Sequence, residues 1–165
     1  MSAPAPAKAG YLAPDGPPAD FSGLAVTLLA TRWNSDIVDA LIAGSRRALT
    51  AWGLRPERIR ELRVPGAYEL PLAASRLFER GACDGIVTLG AIIRGDTPHF
   101  DFVAGECSRG LMDVQLRHGR PIGFGVLTVN DAAQAWARAG TGADNKGNEA
   151  TLAMLEMLAL LRSIS

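Results

Sequence analysis

Short apolar runs alternate with longer segments of helical periodicity, and this alternation limits the fold more than any other feature of the chain. Runs of strand length lie at 23–30, 84–90 and 122–129, with a more polar, edge-like run at 58–64. Apolar residues at helical spacing lie at 35–52, 68–80, 100–118, 131–139 and 145–164. Strands separated by helices are joined by crossovers, which make the strands parallel and put helices on both faces. The pattern predicts an α/β fold with a four-stranded parallel sheet in a three-layer α/β/α sandwich, and Asn34 or Ser35 is expected to cap the first helix.

Charge and cysteine content exclude several function classes. The 165 residues carry 17 basic and 17 acidic side chains, so the formal net charge is +0. A neutral chain has no overall field to attract nucleic acid or an anionic membrane. Cys83 and Cys107 are too few for a disulfide framework and match no zinc spacing, and the apolar run at 157–161 is too short to cross a membrane. We therefore expect a single-domain cytoplasmic protein with no metal and no nucleic-acid or membrane partner.

The two ends of the chain differ from its centre. Residues 1–20 hold half of the ten prolines and few residues that could pack, so they are predicted to be a flexible tail before a domain at 21–165. The last predicted helix is apolar nearly all round between Leu152 and Leu161. Such a helix is either deeply buried or covered by another subunit, and in a domain this small we favour a subunit contact.

Residues with chemical uses collect where the predicted strands end, which is where open parallel sheets bind ligands. Trp33 offers a flat face for a heteroaromatic ring, although its position fits a core tryptophan equally well. Glu69 is a candidate acceptor for ligand hydroxyl or ring N–H groups, or an ordinary carboxylate near a helix start.

The segment Gly95-Asp96-Thr97-Pro98-His99 comes directly before a predicted helix. Backbone N–H groups at a helix start, together with a threonine hydroxyl, suit a phosphate group. His99 lies in this ligand-facing loop, so we interpret it as a proton-transfer residue. His118, beside Gly119 at a helix end, is interpreted as structural.

Six ordered segments carry a specific resemblance to a known family. They are Arg32-Trp33-Asn34, VPGAYELP (64–71), GAIIRGDTPHFDFV (90–103), PIGFGVLT (121–128), QAWARAG (134–140) and NKGNEA (145–150). In this order, over nearly all of the chain after the tail, they resemble the lumazine synthase (6,7-dimethyl-8-ribityllumazine synthase) family. The resemblance implies a flavodoxin-like fold. It also implies the condensation of 5-amino-6-(D-ribitylamino)uracil with 3,4-dihydroxy-2-butanone 4-phosphate, the penultimate step of riboflavin biosynthesis, without a cofactor.

The resemblance further implies roles for particular side chains. His99 is the proton-transfer residue, and Trp33 stacks on the pyrimidine ring at a position where phenylalanine is common and where the larger ring could tighten flavin binding. The other expected substrate contacts are Ala67, Tyr68, Glu69, Ala91, Ile92, Ile93 and Phe124. Phe124 is expected to reach the site from a neighbouring subunit. The expected phosphate contacts are Asp96, through its backbone only, Thr97, Arg138 and Lys146, and Lys146 forms a polar pair with Glu149.

The same resemblance implies a homo-oligomer. Family members form pentamers, which some join into decamers or a hollow shell of sixty subunits. The short link at 140–146 resembles shell-forming members, so a sixty-subunit shell is the favoured expectation, although the prolines of the tail could interfere with packing between pentamers. Riboflavin synthase is a candidate partner.

Three other function classes fit the sequence less well. A flavin-binding module would want a glycine- and hydroxyl-rich loop after the first strand, which Thr31-Arg32-Trp33-Asn34 is not. A phospho-acceptor receiver domain would want an aspartate in place of Gly90. A family member that serves only as a flavin-binding or cage protein stays open, although His99, Arg138 and Lys146 count against it.

Overall fold

The structure is a computed structural model that describes residues 10–165, and residues 1–9 of the predicted tail lie outside the described residues. The strands are β1 (Val26–Thr31), β2 (Ile59–Val64), β3 (Gly85–Ile93) and β4 (Ile122–Val129). The α-helices are α1 (Ser35–Ala51), α2 (Leu70–Glu79), α3 (His99–His118), α4 (Ala132–Trp136) and α5 (Lys146–Ser163). Short 3-10 turns at Pro56–Arg58 and Ala67–Glu69 precede β2 and α2.

The four strands form one sheet in the order β2–β1–β3–β4, and every pairing is parallel. β1 is buried along its whole length, as expected for an apolar strand between two neighbours. β2 lies at one edge and exposes Arg60, Glu61 and Arg63, and charged side chains on an edge discourage pairing with other chains. The predicted parallel sheet and the edge position of the polar strand are confirmed.

Helices cover both faces of the sheet and divide the core in two. α1 and α5 pack together on one face, over a cluster that includes Leu28, Leu41 and Leu155. α2 and α3 pack together on the other face, over a cluster that includes Leu29 and Leu70. Leu28 and Leu29 enter different clusters because successive side chains of a strand point to opposite faces. The predicted three-layer α/β/α sandwich is confirmed.

Several element boundaries differ from the predicted ones. β1 begins at Val26 rather than residue 23, because its pairing with β2 and β3 begins there. β3 continues past Gly90 to Ile93, because its pairing with β4 runs on to Val129. α3 begins one residue early, so that His99 is its first residue, and α4 ends at Trp136 in tighter turns rather than continuing to residue 139.

The predicted cap of α1 is wrong. Asn34 does occupy the N-cap position, but its backbone is left-handed (φ 56°, ψ 48°) and its side chain makes no capping hydrogen bond. The Asn34 amide Nδ2 instead donates to the carbonyl oxygen of Ala91, at 2.9 Å. Ser35 is the first helical residue.

α5 has one face buried within the chain and one apolar face that is partly exposed. The buried face, which includes Leu155, packs against α1, β3 and β4, and Gly147 lies so close to α1 that a Cβ there would overlap the carbonyl oxygen of Leu41. Met157 and Leu160 are about half exposed. The predicted subunit contact of this helix stays a prediction. Among the described residues, no helix, α5 included, is long and apolar enough to cross a membrane.

The described part of the predicted tail contacts the domain. The Tyr11 hydroxyl donates to the carboxylate of Glu156 on α5, and Ala19 packs against the core. Phe21 is buried and stacks on Trp52, with 5.8 Å between the ring centroids. The packed domain thus includes Phe21, the first residue of the predicted domain.

Candidate active site

A cleft of about 610 Å³ opens at the carboxyl ends of β1 and β3. We call it the strand-end cleft, and it is lined by Thr31, Trp33, Asn34, Gly66, Ala67, Tyr68, Glu69, Ala91, Ile92, Ile93, Gly95, Thr97, His99, Phe100, Phe102 and Val103. β1 and β3 are neighbours in the sheet, with β2 on the far side of β1 and β4 on the far side of β3. The chain therefore leaves β1 and β3 in opposite directions. Ligands bind at such a switch point in open parallel sheets, because the diverging connections leave a crevice there.

Trp33 presents a free aromatic face to this cleft. Its side chain is 72% exposed, which rules out the alternative of a core tryptophan. Gly66 lies against the edge of the ring, and a Cβ on Gly66 would come within 3.2 Å of the Trp33 Cδ1 atom. Because this glycine has no side chain, the indole can lie close to the loop after β2. An exposed ring in this position is suited to stacking on a planar heteroaromatic ligand.

Glu69 stabilises the loop after β2 through a hydrogen bond. Its Oε2 atom accepts a hydrogen bond from the backbone N–H of Gly66, at 2.9 Å. A carboxylate has acceptor sites on both oxygens, so Glu69 retains capacity for a ligand donor. The exposed ring of Tyr68 lines the cleft beside it. The loop therefore supplies an acceptor and an aromatic surface at one wall of the cleft.

β3 supplies backbone groups to the opposite wall. Its pairing with β1 ends at the Ala30–Leu89 pair, whereas its pairing with β4 continues to Ile93 and Val129. The edge of β3 that faces β1 is therefore left without a strand partner along its last residues. Backbone N–H and C=O groups need hydrogen-bond partners, and those along this edge that no strand pairs suit a ring with alternating donors and acceptors.

The loop after β3 brings Thr97 and His99 to the cleft. Pro98 occupies the N-cap position of α3 and makes no side-chain cap, while Thr97 Oγ1 accepts from the backbone N–H of His99 at 3.4 Å. The start of this 20-residue helix carries a partial positive charge, which favours an anion. Asp96 is not among the lining residues, although its neighbours Gly95 and Thr97 are.

Arg94 holds this loop in place from outside the cleft. Its Nη2 atom lies 3.3 Å from the Asp101 carboxylate, and its Nε donates to Asn130 Oδ1 at 3.3 Å. The guanidinium lies over the ring of Phe100, 4.2 Å from the centroid. These contacts tie the start of α3 to the end of β4.

A second cavity, of about 440 Å³, runs along the outer edge of β4 beside α5. We call it the β4 groove. Phe124, which is 47% exposed, lines it together with Arg138, Lys146 and Glu149. Lys146 Nζ lies 2.6 Å from Glu149 Oε2, and Arg138 Nη1 donates to the Gln134 carbonyl at 2.9 Å. The groove therefore carries two cations and one carboxylate next to an exposed aromatic ring.

Within one chain, the predicted site residues fall into two separate groups. The strand-end cleft contains those expected to bind the ring and to move protons, namely Trp33, Ala67, Tyr68, Glu69, Ala91, Ile92, Ile93, Thr97 and His99. The β4 groove contains Phe124, Arg138 and Lys146. The residues that line the cleft, all in the described part of the chain, include no lysine or arginine. The predicted grouping of Arg138 and Lys146 with Thr97 is therefore not found within a single chain.

The cysteines play no part in either cavity. Burial raises the pKa of the Cys107 thiol to about 12, and burial also raises the pKa of the Cys83 thiol. Both are free and buried. Within residues 10–165, no three histidine, cysteine, aspartate or glutamate side chains are placed to hold a metal ion together.

Some residues of the cleft were not predicted from the sequence. Phe102 lies three residues after His99, one helical turn further on, and this spacing is a signal that could have placed both on one face. The position of Gly66, in the loop directly after β2 and next to Ala67, is a signal that could have placed it in the cleft. Asn34 was predicted only as a cap, and no sequence signal indicates its contact with β3.

The fold and the cleft define a parallel-sheet α/β protein with a site suited to a planar, hydrogen-bonding ring next to an anionic group. Residues 23–162 match the 6,7-dimethyl-8-ribityllumazine synthase family. The chain is 46% identical over 145 residues to a 6,7-dimethyl-8-ribityllumazine synthase of Desulfovibrio desulfuricans, covering 88% of this chain and 93% of the relative. It is 49% identical over 156 residues to a protein of the same name from Kineococcus radiotolerans, covering 92% and 95%. The chain belongs to the 6,7-dimethyl-8-ribityllumazine synthase family.

Proposed function

We propose that this enzyme condenses 5-amino-6-(D-ribitylamino)uracil with 3,4-dihydroxy-2-butanone 4-phosphate to form 6,7-dimethyl-8-ribityllumazine, with the strand-end cleft as the site of the pyrimidine. Family membership over residues 23–162 supports the reaction. The exposed ring of Trp33 and the end of β3 that lacks a strand partner, on opposite walls of one cleft, support the position of the pyrimidine.

The chemistry requires proton transfer and a place for phosphate. The aromatic amine attacks the ketone carbon, and loss of water gives an imine. Loss of a proton from the carbon beside the imine then expels phosphate and leaves an enol. The enol tautomerises to a ketone, and the second amine closes the ring on this new carbonyl with loss of water. His99, at the start of α3 in the cleft, is the proposed group that moves these protons. Thr97 and the N–H groups at the same helix start are the proposed contacts of the phosphate.

We propose that a complete site contains the strand-end cleft of one subunit and the β4 groove of another. A phosphate dianion in a cleft without lysine or arginine is poorly compensated, whereas Arg138 and Lys146 lie together in the other cavity. Arginine can grip a phosphate with two parallel hydrogen bonds. Phe124 in the same groove would then close the pyrimidine site from the partner's side.

Mixing the two substrates with the enzyme tests the function directly. Lumazine absorbance and free phosphate are expected to rise together in equal amounts, and phosphate release without lumazine would contradict the proposal. Arg138→Ala is expected to raise the KM for the butanone phosphate far more than the KM for the pyrimidine. Arg80→Ala, an exposed arginine at the end of α2, is the control. Equal rises in both KM values would make Arg138 structural.

Exposed apolar side chains on α3 support a homo-oligomer. Phe102, Met112 and Leu116 are 69%, 50% and 73% exposed, and their spacing places them along one stripe of the helix. We propose that this stripe and the outer face of α5 are covered by neighbouring subunits in a homopentamer, with sixty-subunit shells as the larger assembly. Light scattering and electron microscopy at neutral pH check this. An active monomer would contradict the shared site, and an active isolated pentamer would contradict only the shell.

Two further proposals concern the cellular location of the enzyme and a partner protein. The two free, buried cysteines are in keeping with a reducing compartment, so we propose a cytoplasmic location. Riboflavin synthase is a proposed partner because it consumes the product, and co-purification of the two enzymes tests this. Accumulation of the enzyme outside the cytoplasm would contradict the location.

A further inference from the structure

Asn34 has a backbone conformation that needs an explanation. Among residues 10–165 it is the only residue other than glycine with a positive φ. Left-handed backbone is unfavourable for residues with a Cβ, and asparagine tolerates it best when its side chain hydrogen-bonds locally. At an N-cap that partner would be a backbone N–H of the first helical turn, but the Asn34 side chain makes no such bond. A role as the cap of α1 therefore does not explain the left-handed backbone of Asn34.

The side chain of Asn34 acts at the end of β3. The β1–β3 ladder ends at Ala30 and Leu89, and Ala91 lies two residues beyond the last pair. The Asn34 amide donates to the Ala91 carbonyl at 2.9 Å. Ala91 is buried, and a buried carbonyl without a partner would be costly. Asn34 thus replaces the missing strand at the point where β1 leaves the sheet, and the left-handed turn aims its side chain there.

We propose that Asn34 is a positioning residue for the pyrimidine. It fixes the backbone at 91–93 relative to Trp33, the residue before it, so that the ring-stacking wall and the hydrogen-bonding wall of the cleft keep a set separation. All of these residues line the same cavity. This inference rests on the proposed pyrimidine site, and it adds that the site depends on one hydrogen bond between its two walls.

Variants of Asn34 separate the effect of the left-handed backbone from the effect of the side-chain hydrogen bond. Asn34→Gly keeps the left-handed turn without strain but removes the amide, and Asn34→Asp keeps the shape but has no N–H to donate. Loss of one such bond is expected to raise the KM for the pyrimidine about 3- to 10-fold in Asn34→Gly and more in Asn34→Asp, whose carboxylate faces the carbonyl. The KM for the butanone phosphate is expected to change less than twofold. Asn148→Ala is the matched control, because the Asn148 amide donates to the Ala143 carbonyl at 3.0 Å outside the cleft.

Hydrogen exchange of the ligand-free enzyme gives a second readout. Backbone amides at 91–93 are expected to exchange faster in Asn34→Gly than in the wild type or in Asn148→Ala. A raised pyrimidine KM without faster exchange would mean that Asn34 contacts the substrate itself, and an unchanged KM would overturn the role altogether. Equal rises in both KM values would indicate a general structural loss. Trp33→Ala tests the underlying site separately: if it leaves the pyrimidine KM unchanged, the proposed pyrimidine site fails.

Discussion

At the scale of single residues, the proposed proton transfer depends on His99. It lies at the first position of α3 and lines the cleft. We expect His99→Ala to slow single-turnover formation of lumazine only about 10- to 1000-fold. General acid–base groups contribute about 100- to 10,000-fold, and the loss is smaller here because the imine can form without a protein base. The assembly should keep its size in light scattering. Single-turnover kinetics equal to those of the wild type would contradict a role in proton transfer.

Cys107 gives a prediction about stability rather than activity. Burial raises the pKa of its thiol from 9.0 to about 12. Below pH 9 the thiol is protonated in both the folded and the unfolded chain, so its contribution to stability is fully present. Between about pH 9 and about pH 12 only the unfolded chain ionises, and the free energy of unfolding should fall as pH rises.

Urea unfolding across this pH range checks the prediction, with Cys107→Ala as the reference. The variant is expected to be less stable at pH 8 and to lose less stability above pH 9 than the wild type. At pH 8 the native Cys107 thiol should also resist alkylation. Rapid alkylation of the native protein would show that the residue is not buried.

At the scale of elements, α1 and α5 pack so closely that the contact requires a glycine. A Cβ on Gly147 would overlap the carbonyl oxygen of Leu41, and backbone cannot move aside as a flexible side chain can. We expect Gly147→Ala to destabilise the protein by about 1–3 kcal/mol, in spite of the better helix propensity of alanine. Thermal unfolding measures it, with Gly23→Ala as the control because no atom lies within 4 Å of a Cβ there. Equal stability of the two variants would contradict this close approach.

The elements were largely predictable from the sequence because their signals are local. The buried run of β1, the polar edge strand β2 and the bounds of β4 each follow from the chain's own pattern of apolar residues. The extension of β3 to Ile93 was not predicted, although Ile92 and Ile93 favour strands, because the apolar run was expected to end at Gly90.

The site was predictable as a set of residues but not as an arrangement. Trp33 and His99 were placed at strand ends, and the structure brings both into one cleft. Arg138 was expected at the phosphate together with Thr97. No pattern in the sequence around Arg138 indicates that it lies in the β4 groove instead. The distance between two side chains on different elements depends on tertiary packing, and the contact of Asn34 with β3 was missed for the same reason.

At the scale of the whole molecule, the separation of the two cavities has a genetic consequence. A subunit with His99→Ala keeps an intact β4 groove, and a subunit with Arg138→Ala keeps an intact cleft. In the proposed pentamer, assembled at random from equal amounts of both variants, about a quarter of the shared sites would combine the two intact halves. Two impaired alleles expressed in one cell are therefore expected to complement each other. Mixed rings made by co-expression should recover activity well above that of either variant alone, whereas separately assembled rings that are merely mixed should not.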